Sequence, residues 1–181
     1  MKIEKTPLKD CFVLTPNVFY DERGAFCETF NEAAFIKNTG IKTPFIQDNQ
    51  STSTRGVLRG LHFQKGEMAQ AKLVRAIVGE VLDVVIDIRR DSPTFGKQYS
   101  ILLSGKNHKQ LYVPRGFAHG FITLSPTSTF GYKCDNYYDK SSESGIIYND
   151  ATLQIDWHLK EEQLIVSEKD LQLPSFEEAT A

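Results

Sequence analysis

The stretch from residue 72 to 89, Lys-Leu-Val-Arg-Ala-Ile-Val-Gly-Glu-Val-Leu-Asp-Val-Val-Ile-Asp-Ile-Arg, limits the fold more than any other part of this chain. It is rich in β-branched residues and poor in helix formers, so it reads as two strands meeting at Val78-Gly79-Glu80. In the second strand the period of two puts Val81, Asp83, Val85 and Asp87 on one face. Leu82, Val84, Ile86 and Ile88 share the other. Aspartate alternating with valine is unlike a solvent face and suits the lining of a polar pocket inside a barrel. Further strands are expected at 98–103, 110–113, 119–124 and 129–132, with turns at 91–96 and 125–128. Short strands spaced roughly ten residues apart point to a sandwich or barrel rather than a βαβ fold. Helix is sparse: one short helix is expected over 31–37 with Asn31 as its cap, and another over 160–164, followed by a turn at 168–171. The expected fold is all-β, a double-sheet jelly roll with a few short helices, whose interior can hold a ligand.

Bulk properties narrow the function. With 181 residues, 40% of them hydrophobic, the chain can build one substantial core but not comfortably two. No repeat or linker divides it, so a single domain over 1–181 is expected. A net charge of -2 makes bulk nucleic-acid binding a poor reading, although a local cationic pocket for a small phosphorylated ligand is compatible with it. No run approaches the ~18 apolar residues of a membrane helix, and residues 1–7 lack the apolar core of a signal peptide. The three cysteines, Cys11, Cys27 and Cys134, are odd in number and include no C-x-x-C pair. Reduced thiols in the cytoplasm, each a small hydrophobe, are the simplest reading.

Two motifs place histidines in apolar, glycine-punctuated contexts: Gly56-Val57-Leu58-Arg59-Gly60-Leu61-His62-Phe63-Gln64 and Pro114-Arg115-Gly116-Phe117-Ala118-His119-Gly120-Phe121. The spacing Pro114-x-Gly116-x-x-His119 resembles the second motif of the cupin superfamily, which is often built around a metal. Metal-binding cupins supply H-x-H in the first motif, whereas here it reads His62-Phe63-Gln64. With Glu67 as a further ligand the set is weak for a transition metal, and no metal is expected. His62 then serves either as an acid or base oriented by a carboxylate, or as a core histidine satisfied by a backbone carbonyl. The same choice stands for His119, while His108 and His158 read as surface residues. Arg59 lies three positions before His62, on the opposite face of an ideal strand, unless a twist or bulge at Gly60 turns both inward. Lys72 could stabilise an enolate oxygen, or end its strand with its head in water. Arg23 could bind a phosphate or sit solvated in its turn. The aromatic run 130–138 carries three tyrosines, any of which could donate a proton or simply pack at the barrel mouth.

Taken together, these residues resemble the dTDP-4-dehydrorhamnose 3,5-epimerase family. The similarity runs from Asp21-Glu22-Arg23-Gly24-Ala25-Phe26 to Ser167-Glu168-Lys169-Asp170 and is strongest at 47–51, 56–64, 70–74, 87–96, 114–121 and 145–150. The resemblance implies a cupin-type jelly roll working without metal or other cofactor, usually as a homodimer. The activity it implies is epimerisation of dTDP-4-dehydro-6-deoxy-D-glucose at C3 and C5, giving dTDP-4-dehydro-L-rhamnose. A single-centre epimerase or a keto-sugar isomerase on a related nucleotide sugar is the alternative. By position, His62 matches the base, Asp170 its carboxylate partner, Tyr132 the acid on the other face and Lys72 the lysine near the keto oxygen. Asp83 and His119 match a second carboxylate–histidine pair lining the pocket. Arg23, Phe26 and Glu28 match an N-terminal segment that crosses to the partner subunit and helps hold the nucleotide, so about residues 1–50 are expected at the dimer interface. Gln47, Asn49, Arg59, Tyr138 and Glu143 match further substrate contacts. Departures are few: Ala25 and Cys27 flank Phe26 where aromatics are frequent, and Gly131 stands where a bulkier residue is usual. These bear on nucleotide grip and on the placing of Tyr132.

Overall fold

The computed structural model describes residues 1–42 and 44–181. The N-terminal part contains β1 (Lys2–Lys5), β2 (Phe12–Thr15), β3 (Val18–Asp21), β4 (Gly24–Cys27), the helix α1 (Glu32–Thr39) and β5 (Gln47–Thr54). The central part contains β6 (Val57–Gln64), β7 (Lys72–Val78), β8 (Glu80–Asp87), β9 (Gln98–Ser104), β10 (Gln110–Val113), β11 (Phe117–Thr123) and β12 (Thr127–Cys134). The C-terminal part adds β13 (Glu143–Gly145), β14 (Ile165–Val166), α2 (Glu168–Leu171) and α3 (Phe176–Ala179). Two sheets face each other, one ordered β1-β2-β10-β7-β12-β5 and the other β13-β6-β11-β8-β9, with β14 parallel to β6; β3 and β4 form a separate hairpin. This is the expected all-β jelly roll of the cupin type.

The 72–89 stretch is the hinge between the sheets. Its two strands do not pair: β7 lies in the first sheet and β8 in the second. Gly79 makes the corner at φ 76, a left-handed conformation that L side chains rarely adopt, and a methyl there would run into the Thr127 carbonyl. Every residue from Val81 to Asp87 is buried. Val81 and Val85 join Val74, Leu111, Phe121 and Phe130 in the core between the sheets. On the other face Leu82, Val84 and Ile86 pack beneath a C-terminal layer that includes Ile146, Tyr148, Leu153 and Trp157. A strand covered on both faces must be apolar on both, which explains the near-continuous hydrophobic run. A third cluster lies where α1 places Phe35 against Leu14, Leu73 and Tyr112 of the first sheet.

Several local expectations hold, and one does not. Asn31 caps α1 by accepting from the Ala34 N–H, and the helix ends at Gly40 in the left-handed region. The 160–164 helix is a 3-10 turn, Glu161–Gln163, and the 168–171 turn is the one-turn helix α2. Asp87 shares a face with Asp83, yet it does not line a pocket. At the exit of β8 it accepts hydrogen bonds from Arg89 Nε at 2.9 Å, Ser92 Oγ at 2.5 Å and Thr94 Oγ1 at 2.6 Å. The following turn folds back and saturates this carboxylate before it can face a cavity.

The Gly79 corner yields a stability prediction. Gly79→Ala should cost about 2 kcal/mol or more through left-handed strain and the clash with Thr127. The expected readout is a melting temperature lower by roughly 4–8 °C for a chain of this size. A melt within about 1 °C of the parent would show that the corner tolerates a side chain.

Candidate active site

The site begins with an irregularity in β6. Opposite β11, His62 pairs with His119 and Arg59 pairs with Phe121, so three steps along β6 match two along β11. The extra residue is a bulge at Gly60, whose φ is 126 and whose peptide bond to Leu61 is cis. A Cβ on Gly60 would come 2.5 Å from the Gly120 Cα, so the two backbones meet where no side chain fits. The bulge breaks the alternation of faces, and Arg59 and His62 both reach the same cleft. Here they line a cavity of about 510 Å³ together with Ser51, Lys72, His119, Phe121, Tyr132, Ser167, Lys169 and Asp170. An adjoining cavity of about 320 Å³ shares His62, Lys72 and Tyr132 and continues past Gln47, Asn49, Gln64, Tyr138 and Glu143.

Neither interior histidine is satisfied by a backbone carbonyl; each is bound to a carboxylate. His62 Nε2 lies 2.7 Å from Asp170 Oδ1, and the Gly60 N–H donates to Asp170 Oδ2 at 3.3 Å. Asp170 sits in the first turn of α2, whose cap Ser167 accepts from the Asp170 N–H. Burial alone would raise this carboxyl, but the His62 bond and charge and the Gly60 and Ser167 bonds outweigh it and hold it below the usual carboxylate range. An ionised Asp170 can only accept, so His62 donates through Nε2, and in the neutral imidazole the lone pair lies on Nδ1. In the second pair His119 Nε2 lies 2.8 Å from Asp83 Oδ2, both side chains being buried. Asp83 Oδ1 is buried with no hydrogen-bond partner among the described residues. Burial pushes the Asp83 carboxyl upward, against the pull of His119 and Lys72.

The facing sheet contributes Lys72 from β7 and Tyr132 from β12, with the ammonium 5.9 Å from the centre of the tyrosine ring. Burial pushes Lys72 below an ordinary lysine, while the negative charges of Asp83 and Glu143 draw it back. Burial also raises the Tyr132 phenol, with Arg59 opposing the rise, and the phenol keeps its proton at neutral pH. Cys134, free like Cys11 and Cys27, is pushed up to about 11 by burial and stays a neutral thiol. At the rim, Glu143 Oε2 accepts from Tyr138 Oη at 2.9 Å and from Lys169 Nζ at 2.6 Å. Gln47 donates to Asn49 Oδ1 at 3.1 Å, and Arg59 Nε donates to Ser53 Oγ at 3.2 Å.

Eleven of the fourteen residues singled out in the sequence are gathered at this cleft: Asp83 through His119, the others by lining it. Arg23, Phe26 and Glu28 are not. They sit on and just after the β3–β4 hairpin, where Arg23 pairs with Asp21, Phe26 is 70% exposed and Glu28 accepts from Asn31. Lys169 and Ser51 were missed by sequence reasoning. Lys169 was signalled only by its place beside Asp170, and Ser51 by the alternation Gln47, Asn49, Ser51 along β5. Glu67 is exposed in a 3-10 turn. Gly131 lies on the outer face of its sheet against Ile77, away from the cleft.

The two pairs should show opposite pH signatures. Asp83 is raised above its unfolded value, so its ionised form costs stability above the folded pKa, and that cost fades as pH falls through it. Asp83→Asn should therefore melt above the parent at pH 8, with the gap closing toward pH 4. Asp170 is depressed, so its contribution is present above the unfolded value near 3.8 and is lost below it. Asp170→Asn should melt below the parent at pH 7 and converge with it under about pH 3. Thermal melts across this range check both signs.

Comparison with known proteins gives one consistent family. The family model described as dTDP-4-dehydrorhamnose 3,5-epimerase matches residues 5–178. The chain is 49% identical over 179 residues to the dTDP-4-dehydrorhamnose 3,5-epimerase of Salmonella typhimurium, covering 99% of this chain and 97% of that one. A crystal structure of the Elizabethkingia anophelis enzyme of that name superposes with a TM-score of 0.96 at 54% identity, covering 100% of this chain and 99% of the other. A Legionella pneumophila 3,5-epimerase in complex with dTDP-4-keto-L-rhamnose superposes with a TM-score of 0.94 at 44% identity, covering 97% and 93%. With its jelly roll, its paired histidines and this likeness along the whole chain, the protein belongs to the dTDP-4-dehydrorhamnose 3,5-epimerase family.

Proposed function

We propose that the cleft epimerises dTDP-4-dehydro-6-deoxy-D-glucose at C3 and C5 to dTDP-4-dehydro-L-rhamnose. The observation that carries this reading is the placement of a carboxylate-held histidine on one sheet and of Lys72 and Tyr132 on the facing sheet. In a 4-keto sugar the protons on C3 and C5 are both α to the carbonyl, so each can leave as an enolate forms. His62, with Nε2–H held by Asp170, removes the proton through Nδ1. Lys72 stabilises the oxyanion on O4. Tyr132, protonated and on the other sheet, returns a proton to the opposite face of the carbon, so the step inverts rather than merely exchanges. No electron changes hands and no redox cofactor is needed.

The remaining residues bind. Gln47, Asn49, Arg59, Tyr138 and Glu143 contact the nucleotide sugar along the cleft, and His119 lines its inner end with Asp83 behind it. The chain acts as one domain over 1–181, and about residues 1–50 contribute to a homodimer. In that dimer Arg23, Phe26 and Glu28 of one subunit reach the other's nucleotide. This is supported by a hairpin that stands apart from both sheets with Phe19 and Tyr20, as well as Phe26, largely exposed. A reducing, cytoplasmic setting fits the three free thiols.

Incubation with dTDP-4-dehydro-6-deoxy-D-glucose in D2O, followed by NMR, tests the reaction. Deuterium is expected at both C3 and C5, with the inverted sugar trapped by a reductase; deuterium at one carbon would move the reading to a single-centre epimerase. His62→Ala should lower exchange at both carbons by about 10²-fold or more while nucleotide-sugar binding is largely kept. Substantial exchange in that variant would remove His62 from the role. Light scattering should give a mass of twice 20.5 kDa, and a mass of one chain would refute the shared nucleotide site.

A further inference from the structure

Gln64 stands two residues after His62 on β6, at the position where metal-binding cupins place a second histidine. It is 7% exposed, and both ends of its amide are hydrogen-bonded. Nε2 donates to the carbonyls of Met68 and, at 3.1 Å, Tyr137, while Oε1 accepts from the Asp139 N–H at 2.7 Å. Only one orientation fits, since a flipped amide would set its oxygen against two carbonyls and its NH2 against an N–H. Residues 136–139 form no strand or helix, so no ladder satisfies their backbone groups. Glutamine side chains do so instead, one residue after another. Gln70 donates to Asn136 O at 2.8 Å, Gln64 to Tyr137 O, Gln47 accepts from Tyr138 N at 2.9 Å, and Gln64 accepts from Asp139 N.

We propose that Gln64 is a positioning residue: it fixes the 136–139 segment so that Tyr138 stands at the cleft rim against Glu143. Tyr138 is 54% exposed, and its one side-chain hydrogen bond, from Oη to Glu143, cannot orient the backbone beneath it. Gln47 takes the Tyr138 N–H, and the buried amide of Gln64, on the same strand and the same face as His62, ties the residues on either side, Tyr137 and Asp139. The second ligand position of the cupin motif thus serves as a loop anchor, tying the rim that binds the nucleotide sugar to the strand that carries the base. The inference rests on the proposed function for the identity of the ligand.

Gln64→Leu keeps the side-chain volume and removes all three bonds. KM for the nucleotide sugar should rise about tenfold and dTDP affinity by calorimetry should fall about tenfold, with kcat changing much less. In a Tyr138→Ala background Gln64→Leu should add less than about twofold, because both changes act through one side chain. Unchanged KM and dTDP affinity in a folded Gln64→Leu protein, or effects that multiply independently in the double variant, would overturn the proposal. Should Gln64→Leu fail to fold, Gln70→Leu removes a single tie to the same segment. It should shift dTDP affinity in the same direction by about two- to threefold, again not additively with Tyr138→Ala, and no shift would count against the proposal. A parent chain that binds dTDP but turns nothing over would refute the assigned reaction, while the calorimetric arm still decides the role of Gln64.

Discussion

A single short hydrogen bond, His62 Nε2 to Asp170 Oδ1 at 2.7 Å, joins the parts on which the rest of the molecule depends. It links a bulged strand of the second sheet to a one-turn helix near the end of the chain. The bulge is needed to bring His62 and Arg59 to one side. The helix, capped by Ser167, is needed to hold a carboxylate under cover, where the Gly60 N–H donates to its second oxygen. Neither half is useful alone. An uncovered carboxylate would be too well solvated to orient an imidazole, and an unheld imidazole would rotate among tautomers and rotamers.

The cleft then divides its labour by sheet. The second sheet carries both histidines as direct cross-strand partners, and the first carries Lys72 and Tyr132 on adjacent strands. The two carboxylates differ in kind. Asp170 is surrounded by donors and stays ionised, while Asp83 is buried and has one oxygen without a partner among the described residues. The two carboxylates that hold the histidines are thus pushed in opposite directions by their surroundings, Asp83 up and Asp170 down.

Much of this was legible in the sequence, for physical reasons that can be named. The period-two pattern of 81–88 assigned faces correctly because β8 is buried on both sides and its two faces fill two separate cores. Gly60 between Arg59 and His62 pointed to a bulge because nothing else lets residues three apart share a strand face. The helix cap at Asn31 followed from local chemistry alone. What local pattern could not give were pairings between distant segments. Asp87 looked like a pocket residue by alternation, but the turn after it captures the carboxylate. Lys169 carried no reading of its own because its partner, Glu143, is 26 residues away. The corner at Gly79 was visible as a break, but not that the strands on either side of it belong to different sheets.

The separation of base and carboxylate along the chain has a consequence for how the protein loses function. His62 and Asp170 are 108 residues apart and belong to different elements, β6 and the one-turn helix α2. An opening that lifts α2 away from β6 parts the pair while the ladders of both sheets remain intact. Loss of the pair is thus a smaller event than loss of the fold, and the two need not occur together.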